Sequence, residues 1–146
     1  MKKSIFLCLV IQSLLFSEIT EVSIGIYEYW RDGAQDNVLL PASKISKKWE
    51  KKGIVFHAFK DNSADGLIPV FCYYDSKNKD HIYSTEKLSH DYCEEFEFPG
   101  GVAFNEGVAF YAFDEEIPGS TAVYLLYHSK QKNHRYSTDP NRKSGQ

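Results

Sequence analysis

Val70-Phe71-Cys72-Tyr73-Tyr74-Asp75-Ser76-Lys77-Asn78-Lys79-Asp80-His81-Ile82-Tyr83-Ser84-Thr85 returns 53 residues later as Val123-Tyr124-Leu125-Leu126-Tyr127-His128-Ser129-Lys130-Gln131-Lys132-Asn133-His134-Arg135-Tyr136-Ser137-Thr138. A second element is doubled at an offset of 54: Gly53-Ile54-Val55-Phe56-His57-Ala58-Phe59 matches Gly107-Val108-Ala109-Phe110-Tyr111-Ala112-Phe113. Self-similarity of this period means that one supersecondary unit is used more than once, stacked or arranged about an axis. It constrains architecture first and function much less.

Within Val70 to Thr85, alternation puts Val70, Cys72 and Tyr74 on one strand face and Phe71 and Tyr73 on the other. Asp75 to Asp80 is polar and turn-rich, and His81 to Thr85 reads as the return strand of a hairpin. Leu88 and Tyr92, four apart, predict a short helical turn capped by Ser84 or Thr85. Pro99-Gly100-Gly101 marks a turn, and Gly107 to Phe113 reads as a further strand.

A weaker copy lies upstream at an offset of 44. Tyr27, Tyr29 and Trp30 stand where Phe71, Tyr73 and Tyr74 stand, Arg31 to Asp36 replaces the turn, and Asn37-Val38-Leu39 replaces His81-Ile82-Tyr83. Ser43 is placed to cap a helical turn carrying Ile45 and Trp49. The sequence thus predicts three units, at about 22–66, 67–119 and 120–138, followed by a tail at 139–146. With 15% aromatic residues and repeated hairpins, the expected class is all-β, in a β-trefoil-like arrangement of hairpin, short helical turn and strand. The third unit is incomplete: nothing after Thr138 matches Gly-Val-Ala-Phe. Truncation explains this, or a strand-sized gap that another chain fills by edge pairing.

Lys2 and Lys3 followed by the apolar run Ile5 to Phe16 have the layout of an export signal, with cleavage expected near Ser17. The competing reading is an apolar N-terminal strand of the domain. The run is shorter than the roughly 20 residues a membrane span needs. Removal of residues 1–17 leaves 129 residues, one domain, and moves the formal net charge from −3 to −5. That acidity argues against nucleic acid as a partner. The expected location is extracellular, with no membrane span in the mature chain. Cys72 and Cys93 then remain as an even pair, which in an exported protein invites a disulfide. Against it, Cys72 aligns with Leu125, so its position accepts a plain hydrophobe.

Taken together, these residues resemble an uncharacterised family of secreted repeat domains, a domain of unknown function. Its motifs are Val-Tyr-Arg-Phe-Tyr-Asn, Asp-His-Phe-Tyr-Thr-Thr and Glu-Gly-Val-Ala-Phe-Tyr-Ala. The matching stretches here are Val123 to His128, Asp80 to Thr85 and Glu106 to Ala112, within a resemblance spanning about residues 22–138. It implies a β-trefoil-like fold and an accessory binding role beside secreted peptidases and wall-degrading enzymes. It carries over no catalytic residues.

His81 and His134 are the most suggestive polar residues, each preceded by Asp80 or Asn133 and followed two residues later by Tyr83 or Tyr136. With Tyr74 and Tyr127 as flat apolar surfaces, these eight residues form two candidate sugar-binding groups. A structural reading competes with it: Asp80 and Asn133 cap the turn backbone while the imidazoles make internal hydrogen bonds. Metal ligation is disfavoured, because symmetry-related histidines stand too far apart to share an ion and no His-Glu-x-x-His spacing occurs. No Gly-x-Ser-x-Gly elbow is present, and Glu94-Glu95 and Asp114-Glu115-Glu116 read as solvated loops. Lys77, Lys79, Lys130 and Lys132 would project from two hairpin tips, towards an anionic polymer or simply into solvent.

The expected function is therefore a secreted, non-catalytic, lectin-like module that binds a glycan or cell-surface polymer without a cofactor. The alternatives are a protein-interaction or inhibitor module with its specificity in the loops, and a truncated accessory domain of a secreted hydrolase.

Overall fold

A computed structural model describes residues 4–8, 23–42, 45–87 and 103–142. Its described residues form nine strands and no helix: β1 (Ser4–Cys8), β2 (Ser23–Arg31), β3 (Asp36–Pro41), β4 (Glu50–Phe59), β5 (Leu67–Asp75), β6 (Asp80–Ser84), β7 (Ala103–Phe113), β8 (Ser120–His128) and β9 (Asn133–Ser137). All pairings are antiparallel. The strand path runs β3-β2-β4-β7-β1-β8-β9, with β5 joined to β7 and β6 to β5. Long ladders link β2 with β3 and β4, β5 with β6 and β7, and β8 with β9 and β1. Among the described residues, strand pairing between these three ladders is limited to single bridges, Phe59↔Tyr111 and Phe6↔Phe113.

Each hairpin turns through four residues, between Arg31↔Asp36, Asp75↔Asp80 and His128↔Asn133. The last turn residue has a left-handed backbone in every case: Gln35 (φ 55°), Lys79 (φ 58°) and Lys132 (φ 52°). Non-glycine residues adopt this conformation uncommonly, so its return at one turn position marks a shared turn geometry. Asp75 braces its own turn by accepting from the backbone N–H groups of Lys77 (2.9 Å) and Asn78 (3.2 Å). His128 does the same through Nδ1 for Gln131 N–H (3.0 Å).

Ile26, Val70 and Val123 lie at matching positions of β2, β5 and β8, all buried in one apolar cluster. Phe56 packs edge-on to Phe110 at 5.6 Å between centroids, and Phe59 to Phe113 at 5.7 Å. Burying such side chains supplies the main driving force for folding. Simple alternation along β5 fails after Cys72: Tyr73 is buried and Tyr74 only half-buried. The β5–β7 ladder shifts register between Val70 and Phe71 and again between Cys72 and Tyr73, and bulges of this kind re-aim side chains.

Other expectations also change. Ile45 to Trp49 forms a lone turn, closed by Trp49 N–H to the Ser46 carbonyl (3.0 Å), rather than a helical turn. So short a segment between two strands gives too few hydrogen bonds to offset helix nucleation. Ser43, Leu88, Tyr92, Cys93 and Pro99-Gly100-Gly101 lie outside the described residues. Cys72 is a free, buried thiol at a position aligned with Glu28 and Leu125, and Cys93, its expected partner, lies outside the described residues. The beginning of the presumed export run is strand β1, paired along β8.

Burial, with the nearby Glu106 carboxylate adding to it, pushes the Cys72 thiol up to about 12. Because this lies above the value of 9.0 expected when exposed, the associated stability is full below that pH and is lost as pH rises towards 12. Cys72 in the native protein is therefore expected to resist iodoacetamide at about pH 8 and to react fully in denaturant, as read by mass mapping of its peptide. Ile26→Ala should lower unfolding free energy by about 2–5 kcal/mol in denaturant titrations, since it opens a cavity in the apolar cluster.

Candidate functional site

Asp36, Asp80 and Asn133 are the first residues of β3, β6 and β9, placed by the left-handed turn residue before each. The two aspartates do not cap their own turns. Each reaches the neighbouring ladder. Asp36 accepts from His81 backbone N–H (3.3 Å) through Oδ1, and its Oδ2 lies 2.8 Å from His81 Nδ1. Asp80 accepts from His134 N–H (3.0 Å), and its other oxygen pairs with His134 Nδ1. Both imidazoles thus turn Nδ1–H towards a carboxylate that has almost no contact with solvent.

A second set of bonds runs parallel to the first. Tyr83 hydroxyl accepts from Leu39 N–H (2.8 Å). Tyr136 hydroxyl accepts from Tyr83 N–H (2.6 Å) and donates to the Tyr83 carbonyl (2.9 Å). Burial pushes the pKa of both phenols above the usual value, so they stay protonated and available as donors. Asp80 is also raised, because burial outweighs the bonds from His134.

The third junction differs. Asn37 stands where His81 and His134 stand, and Asn133 takes the aspartate position. Asn133 donates to the Gln35 carbonyl (2.9 Å), while its Oδ1 and both polar atoms of Asn37 are buried without hydrogen bonds among the described residues. Arg135 lies over the Trp30 ring at 4.7 Å and Arg31 over Trp49 at 4.8 Å, so these indoles face guanidinium groups.

Of the eight sequence-predicted residues, Asp80, Tyr83, Asn133, His134 and Tyr136 are buried, and each bonds to protein groups, although Asn133 Oδ1 does not. Three reach solvent. Tyr127 is 36% exposed, and Tyr74 and His81 are partly exposed. Tyr74 lies against His81 with centroids 4.7 Å apart at 40°, and Tyr127 lies against His134 at 4.7 Å and 38°. Each motif therefore yields a tyrosine ring backed by an imidazole that a buried aspartate holds still. Asp36 was not singled out by sequence, although its alignment with Asp80 and Asn133 carried the signal. Sequence also gave no hint of a cleft of about 290 Å³ lined by Glu28, Lys52, Ile54, Ser137, Thr138 and Arg142. There the buried Glu28 carboxylate meets Arg142 at 3.3 Å. The described residues contain no group of three or more His, Cys, Asp or Glu side chains arranged for a metal.

His134→Ala is expected to lower unfolding free energy by about 3–5 kcal/mol, because it strands the Asp80 carboxylate in the interior. Tyr127→Ala should change it by less than about 1 kcal/mol; paired urea titrations compare the two. Asn37→His with Asn133→Asp should show favourable coupling of about 0.5–3 kcal/mol in a double-mutant cycle, as a third pair forms.

Residues 31–145 match the family model described as Domain of unknown function (DUF5648). No curated protein and no solved structure matches the chain. With that match covering well over half of its length, the chain belongs to the DUF5648 family.

Proposed function

We propose that this protein is a secreted, non-catalytic, lectin-like module that recognises carbohydrate through its two tyrosine–imidazole plates. The observation that carries the reading is Tyr127, an exposed ring laid on an imidazole whose Nδ1–H is fixed by Asp80. Sugars present apolar C–H faces that suit a flat, immobile aromatic ring, and such a surface costs little conformational entropy on binding. Tyr74 on His81 gives a second plate at the corresponding hairpin. The exposed lysines at the tips, Lys77, Lys79, Lys130 and Lys132, favour an anionic glycan or wall polymer.

The same reading takes the chain as three-fold, trefoil-like in its symmetry, with each unit a three-stranded ladder. Matching turn conformations, matching core positions and the serial Asp–His bonds support it. Two plates rather than three follow, because the first unit carries Asn37 in place of the histidine.

A protein partner is the alternative reading, favoured by Ile54 and Val108. These lie at corresponding places of β4 and β7 and are 48% and 45% exposed. A glycan array separates the two. Binding that falls about tenfold on Tyr127→Ala, with an unchanged melting curve, is the expected result. A folded protein that binds no glycan, but retains a protein partner until Ile54→Lys and Val108→Lys are introduced, would establish the alternative.

A further inference from the structure

The ladder made by β1 occupies a position that the other two ladders define. In the first, Ser23, Ile24, Gly25 and Ile26 pair with Phe59, Ala58, His57 and Phe56. In the second, Leu67, Ile68, Pro69 and Val70 pair with Phe113, Ala112, Tyr111 and Phe110. In the third, Ser120, Thr121, Ala122 and Val123 pair with Cys8, Leu7, Phe6 and Ile5. The left-hand residues correspond at the repeat offsets of 44 and 53. Ile5-Phe6-Leu7-Cys8 therefore stands in the register of Phe56-His57-Ala58-Phe59 and Phe110-Tyr111-Ala112-Phe113. Among the described residues, the strand that pairs with β8 in this register is Ser4–Cys8, near the N-terminal end.

That end has the composition of an export leader, with Lys2, Lys3 and the apolar run that follows. One short segment thus answers two descriptions, a removable leader and a closing strand. Whatever detaches it bares the edge of β8 from Ser120 to Tyr124 beside the fully buried Val123. A bare edge presents unpaired backbone N–H and C=O groups, which is the physical basis of strand addition.

We propose that the free edge of β8 is a strand-acceptor site whose occupant is the segment Ser4–Cys8, and that this segment is exchangeable for the same strand offered in trans. Backbone pairing supplies affinity, and the alternation of the closing strands supplies selectivity. The site is independent of the tyrosine–imidazole plates, so loss of glycan binding leaves it untouched.

The test uses the full chain with a protease site placed within residues 9–22. After cleavage, a labelled peptide of residues 2–8 is added and followed by fluorescence anisotropy and circular dichroism. Saturable one-to-one binding, abolished when the peptide carries Ile5→Asp, is the expected outcome. If cleavage unfolds the domain, restoration of the strand spectrum by the wild-type peptide alone is equally expected. A cleaved domain that stays folded without taking up peptide overturns the proposal, as does one that the peptide fails to restore. In the uncleaved chain, Ile5→Asp should lower the melting temperature by several degrees, and an unchanged melt also overturns it. Elution of the uncut chain as a strand-exchanged dimer, reversed by excess peptide, counts in favour.

Discussion

The bond between a buried aspartate and the histidine of the next ladder is the constraint from which much of this structure follows. Its three long ladders touch at their closing strands only through single bridges, so backbone pairing does little to hold them in register with one another. Asp36–His81 and Asp80–His134 take over that task at the hairpin ends. Each carboxylate uses one oxygen for a backbone N–H and the other for an imidazole, which fixes both the position and the rotation of the neighbouring hairpin. Desolvating a carboxylate is expensive, and only complete hydrogen bonding makes it tolerable. Such a pair gives specificity of assembly more than net stability: a hairpin one residue out of register would leave the aspartate buried and unpaired.

The tyrosines reinforce this logic by a different chemistry. Tyr136 bridges both the N–H and the carbonyl of Tyr83, while Tyr83 reaches on to Leu39. The chain of bonds runs from β9 to β6 to β3 and stops there, because leucine has no hydroxyl to continue it. At the same place the aspartate–histidine series also ends, in Asn37 and Asn133. Both series break between the β2–β3 and β8–β9 hairpins. Arg135 over Trp30 and the bond from Asn133 to Gln35 hold that junction instead. Neither interaction requires a buried charge pair.

Much of this was legible in the sequence, and the limits have physical causes. The hairpins and their ends could be read directly, since turn chemistry and strand periodicity are local. Partners across the units could not. Asp80 precedes His81 in the chain but bonds to His134, 54 residues away, and nothing local distinguishes that bond from a cap on its own turn. The exchange of Tyr73 for Tyr74 in the interior came from bulges in the opposing ladder, whose effect on β5 lies outside the sequence of β5. Glu28 is buried in the middle of β2. Its burial depends on Arg142, which only the folded chain brings beside it.

The recurrence of Asp/Asn-His-x-Tyr invited a binding-site reading, and the geometry redistributes that chemistry. Nearly every polar atom of the motif is spent on assembly, so under the proposed function a ligand would meet what the motif immobilises rather than the motif itself. An exposed tyrosine on a free imidazole would lose orientational freedom when it bound. Here the fixing of His134 by Asp80 at folding holds the surface beneath Tyr127 before any ligand arrives. Under the proposed function, stability and recognition would be coupled in one direction. Changes to the aspartate–histidine pairs would disturb both, whereas changes to the exposed Tyr127 ring would act mainly on the outer face.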